Sequence, residues 1–79
     1  MTDIASFTKT EQNGEIFSAY AFVSGNSVFV ATRRELPDRL TEKEIVWEGK
    51  LPPISQPNAI RDRAAARNEA RNIARGLVR

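Results

Sequence analysis

The chain predicts an α+β domain: a three- or four-stranded antiparallel meander with one long C-terminal helix packed across one face. Three observations point there. The first two thirds hold short runs of β-branched, aromatic and hydroxyl-bearing residues separated by tight-turn signals. The last third has an amphipathic helical period, with Ala59, Ala66, Ala70, Ile73, Ala74 and Leu77 on one face at about 100° per residue. The whole is 79 residues long, which is room for one small core and one domain.

The elements follow in order. Ile4 to Gln12 alternates weakly and is rich in threonine, which favours a first strand over 4–12. Asn13-Gly14 suits the two central positions of a type I′ turn. A two-residue turn there sets Phe7 opposite Tyr20 and Ala5 opposite Phe22, with the second strand over 15–24. Gly25-Asn26 offers a second tight turn, and the run from Ser27 to Leu36 reads as a third strand over 27–36, broken by Pro37-Asp38. A polar link leads to a fourth strand over 44–50 containing Trp47, an anchor for the helix side, and stopped by Gly49 and Pro52-Pro53. The helix is expected over 56–77, with Ser55 or Gln56 as cap, Pro57 in its first turn and Gly76 as a weak spot near its end.

With those registers one sheet face presents Phe7, Ile16, Tyr20, Phe22, Phe29 and Ala31. The other presents Ile4, Phe17, Ala19, Ala21, Val23, Val28 and Val30. One helix covers one face only. The expectation is an uncovered apolar face that meets another protein or a second copy of this chain, with Phe7, Tyr20, Phe22 and Phe29 as its interface residues. The same four aromatics are the candidates for stacking single-stranded bases, although Lys9, Arg33 and Lys50 give that face little positive charge.

Charge is the second functional signal. The net charge is +2, but residues 1–54 carry more acids than bases, whereas 55–79 carry six arginines against Asp62 and Glu69. Arg63, Arg67, Arg71, Arg75 and Arg79 recur every fourth position and wind down the helix as a ridge. Arginine suits bidentate contact with phosphate or carboxylate. Arg63, Arg67, Arg71 and Arg75 are therefore the candidate partner-binding residues, facing an acidic protein surface or nucleic acid.

Composition narrows the chemistry. With no cysteine and no histidine, disulfides, the usual zinc sites, thiol catalysis and an imidazole base are excluded. Glu42, Glu44 and Glu48, with Glu35 and Asp38 nearby, read as a solvated edge that discourages aggregation rather than a metal site. The expectation is a protein that is not an enzyme, uses no cofactor or metal and has no catalytic residues. The N-terminus lacks a basic region followed by an apolar run, and no stretch is long enough to span a bilayer. That reads as a soluble, cytoplasmic protein with no membrane partner.

Two resemblances bear on function. The segment Arg67-Asn68-Glu69-Ala70-Arg71-Asn72-Ile73-Ala74 looks like the final helix of double-stranded-RNA-binding domains, in which a basic start precedes alanines packed on a sheet. By that likeness Arg67 and Arg71 would touch phosphates. The chain lacks that family's first helix and its glycine-rich, histidine-containing loop, so the likeness is one of helix-on-sheet packing. In size and architecture the chain is similar to small inhibitor proteins of phages and mobile elements, including anti-CRISPR proteins. That resemblance implies a stoichiometric inhibitor whose partner is a larger nucleic-acid-handling protein complex such as a CRISPR effector. Direct nucleic-acid binding through the arginine helix is the alternative.

Overall fold

The computed structural model describes every residue from Met1 to Arg79. Four strands, β1 (Thr2–Thr10), β2 (Ile16–Ser24), β3 (Ser27–Ala31) and β4 (Ile45–Lys50), form one antiparallel sheet in the order β1-β2-β3-β4. The helix α1 (Ala59–Leu77) lies across one face. This is the predicted α+β meander with four strands.

The first hairpin differs from expectation by one residue. The Glu11 N–H donates to the Glu15 carbonyl (2.7 Å) and the Gly14 N–H to the Glu11 carbonyl (2.9 Å), so the loop is Gln12-Asn13-Gly14, three residues. Gly14 takes φ +87°, the left-handed position that closes such a loop. Asn13 Oδ1 accepts from the Glu15 N–H at 3.0 Å. Phe7 therefore pairs with Ala19, not Tyr20, and Ala5 with Ala21, not Phe22. Because side chains alternate, that single step carries Phe7 to the helix side. A bulge between Asp3 and Ala5 then brings Ile4 to the same core. The second turn is as expected: Ser24 pairs with Ser27 around Gly25 at φ +61°.

Under the helix the core is mostly small. Ala19 and Ala21 of β2 and Ala70 and Ala74 of α1 are buried with Val28, Val30 and Leu51. Alanine facing alanine lets the helix axis lie close to the central strands, while Phe7, Trp47, Ile73 and Leu77 fill the margins. Strand β4 runs through Gly49 instead of stopping there. The Trp47 ring lies where a Cβ on residue 49 would stand, so only glycine keeps both the strand and the tryptophan in place.

The opposite face is covered at its centre. Strand β3 ends at Ala31, and residues 32–44, with a 3₁₀ turn at Pro37–Arg39, fold back over the sheet as a strap. Beneath it Phe22 (0% exposed), Phe29 (6%) and Ala31 (0%) are sealed, with Tyr20, Leu40 and Ile45 around them. Phe22 and Phe29 are a cross-strand pair with stacked rings, centroids 5.6 Å apart. The expected uncovered face is thus covered over its aromatic centre and open only at its rim, where Ile16 is 73% exposed: the third strand is shorter than the β-branched run suggested, and the released chain supplies the cover.

The helix also starts later than expected. Residues Ile54 to Asn58 turn irregularly, Asn58 adopts φ 62°, ψ 20°, and its side chain forms no cap; neither Ser55 nor Gln56 caps the helix. Gly76 lies inside the last helical turn, which ends where the Val78 N–H meets the Arg75 carbonyl.

Candidate interaction face on the C-terminal helix

The arginines of the ridge have different fates, because a four-residue step on a helix overshoots a full turn by about 40°. Arg63 faces the sheet and donates to the Pro52 carbonyl at 2.8 Å, half-buried. It ties the helix to the segment leading into it. Arg75 places its guanidinium over the Phe7 ring, 5.5 Å from the centroid. Between them Arg67 is exposed, and Arg71 bonds only Asn68 Oδ1, at 3.4 Å.

None of Arg63, Arg67, Arg71 and Arg75 meets a carboxylate. The ion pairs of the molecule are Lys9–Glu11, Arg33–Glu44, Arg34–Asp3 and Arg61–Asp62. The ridge continues onto β1: Lys9 Nζ contacts the Arg79 carbonyl at 3.4 Å and sits 5.6 Å from the Phe17 ring centroid. Sequence reasoning missed this continuation, because a one-residue register shift decides which side of β1 carries Phe7 and Lys9. Arg67, Arg71, Arg75 and Lys9 form one basic face, and Arg63 belongs to the packing.

The aromatic set separates. Phe22 and Phe29 are buried under the strap, Tyr20 is half-buried beside them, and Phe7 lies on the other side of the sheet under Arg75. The four do not form a common surface for a protein or for stacked bases. A homodimer built on that face loses its basis for the same reason.

The acidic residues of the strap region have a structural use. Glu44 receives Arg33 Nε at 2.6 Å and the Thr41 N–H at 2.9 Å, and these bonds pull its pKa from 4.5 to about 2. Asp3 receives Arg34 Nε at 2.7 Å and Nη2 at 3.1 Å, which lowers its pKa. The partner arginines are raised in turn. Together the two pairs hold the strap, one at its base and one at the far edge of the sheet. No group of three acidic side chains converges as a metal site would require. No helix of the structure is long and apolar enough to cross a membrane.

No protein-family model, curated protein or solved structure matches this chain.

Proposed function

We propose that this chain is a non-enzymatic binding protein that acts as a stoichiometric inhibitor, occupying an anionic surface of a larger nucleic-acid-handling complex. One observation carries the reading: a rigid helix packed on a sheet presents Arg67, Arg71 and Arg75 along one side with no carboxylate of this chain engaging them. Guanidinium groups not neutralised by a carboxylate of their own chain are available to an external anion, and the packed helix that carries them needs no backbone ordering on binding. The resemblance in size and build to phage-encoded inhibitors, including anti-CRISPR proteins, points to a complex such as a CRISPR effector as the target.

The test is a cleavage assay with a panel of RNA-guided nucleases at rising molar ratios of this protein. Inhibition should saturate at a fixed ratio and be lost in the Arg67→Glu/Arg71→Glu double variant. Undiminished inhibition by that variant refutes the assignment of the face. A second reading, direct nucleic-acid binding, rests on the geometric match of the same guanidinium groups to phosphate. Titration against labelled single- and double-stranded DNA and RNA at two salt concentrations separates the two, since phosphate binding collapses with salt through counterion release.

A further inference from the structure

We propose that the basic face continues into a strand-addition site: the free edge of β1 receives an extended acidic segment of a partner protein. The inference rests on the proposed use of the helix face and names what that face takes.

The edge is built for pairing. Strand β1 ends the sheet, paired with β2 on one side and with nothing on the other. The Glu11 N–H to Glu15 carbonyl bond sets the alternation of the ladder, so Ala5, Phe7 and Lys9 turn their backbone groups toward β2. The N–H and C=O groups of Ser6, Thr8 and Thr10 therefore point outward, unpaired. Past the Ile4 bulge this stretch is regular, contains no proline and carries one charge, Lys9. Edge strands are usually guarded by bulges, prolines or charged side chains, lysine above all; here the guards are the bulge at one end and Lys9 near the other, a charge that repels a basic strand and admits an acidic one.

The flank selects the occupant. Phe7 and Lys9 lie on the helix side of β1, where Arg75 stands over the Phe7 ring and Lys9 reaches the last residue of the chain. Two strand residues advance about 6.6–6.8 Å, so Phe7, with Arg75 over its ring, and Lys9 mark two successive helix-side positions along the edge. On an added strand, alternate side chains would face this row of cations, and acidic residues at every second position match it. The intervening positions would meet Ser6, Thr8 and Thr10, all small and exposed. Antiparallel pairing of two β1 edges would instead set one Lys9–Arg75 flank against another, so like charge disfavours a second copy.

The experiment uses the whole protein and fluorescence anisotropy with a labelled synthetic peptide alternating Glu and Val. Three comparison probes accompany it: the same peptide with Lys for Glu, the same acidic peptide N-methylated at the amides that would pair, and a single-stranded oligonucleotide. Binding of the acidic peptide, loss with Lys, and at least about tenfold weakening on N-methylation are expected. Thr8→Pro, which removes an outward N–H, should weaken binding similarly with an unchanged far-ultraviolet dichroism spectrum. N-methylation leaves the protein untouched, so the conclusion does not depend on the proline variant folding. Equal binding of the N-methylated peptide overturns strand addition while leaving the charged face in use. Binding unaffected by Arg67→Glu/Arg71→Glu overturns the role of the helix face but leaves the edge. Exclusive binding of the oligonucleotide, or a sedimenting dimer that takes up no peptide, overturns the proposal.

Discussion

Arg34, just beyond the end of β3, reaches past β2 to grip Asp3 on β1 through two hydrogen bonds of 2.7 and 3.1 Å. This pins the strap over the Phe22–Phe29 pair. Both partners are exposed, so the bond contributes less to global stability than to keeping the strap down. Asp3→Asn should leave the melting temperature nearly unchanged. Amide exchange within residues 32–44 should quicken, and binding of a hydrophobic dye should rise. An exchange pattern identical to the parent protein would show that Leu40 and its neighbours hold the strap unaided.

Acid should release the same strap. The folded-state pKa values of Asp3 and Glu44 lie below their ordinary values, so each group stabilises the fold above its unfolded pKa and the effect fades as protons bind. For Glu44 the loss spans the fall from about pH 4.5 to about 2. Glu44→Gln should flatten the acid dependence in that window, read by Trp47 fluorescence. A variant with the parent's acid profile would remove the Arg33–Glu44 bond as its cause.

Gly49→Ala should destabilise the protein by about 1–3 kcal/mol, because the added methyl must displace the Trp47 ring from the edge of the helix core. Thermal unfolding measures it. Pairing the substitution with Trp47→Leu should recover part of the loss if the clash is its origin.

Ala70→Leu should cost about 1–3 kcal/mol as well, since residue 70 is fully buried where α1 meets the alanine-bearing strand β2. The larger side chain lifts the helix from the sheet. Denaturant melts should show a lower midpoint.

Two arginines on the same ridge should part company. Arg63→Ala should lower stability by ~1–2 kcal/mol through loss of the bond to the Pro52 carbonyl while sparing partner binding. Arg67→Ala should do the reverse, weakening binding with an unchanged melting curve. Equal loss of binding in both would return Arg63 to the contact face.

Much of the fold was legible in order: Asn13-Gly14 and Gly25-Asn26 marked the turns, β-branched runs marked strands, and alanine spacing marked the buried side of α1. These are local signals, written within a few residues of where they act. The register of β1 was not local in that sense, because a two-residue and a three-residue loop both use Asn-Gly and differ by one hydrogen bond. The end of β3 was hidden for another reason. Thr32 to Leu36 has no strong breaker before Pro37, and only the apolar Phe22 and Phe29 beneath the strap made folding back favourable.

Local signals were enough to specify the elements, their order and the stock of arginines, since helical period, turn chemistry and charge are properties of neighbouring residues. Which arginines stay accessible was settled by packing: Arg63 is taken up by the Pro52 carbonyl, whereas Arg67 stands free and Arg75, laid over the face of Phe7, is exposed and meets no carboxylate, and those fates depend on contacts between segments distant along the chain. The same long-range packing sealed the aromatic centre of one face under the strap and left the edge of β1 exposed beside a row of cations.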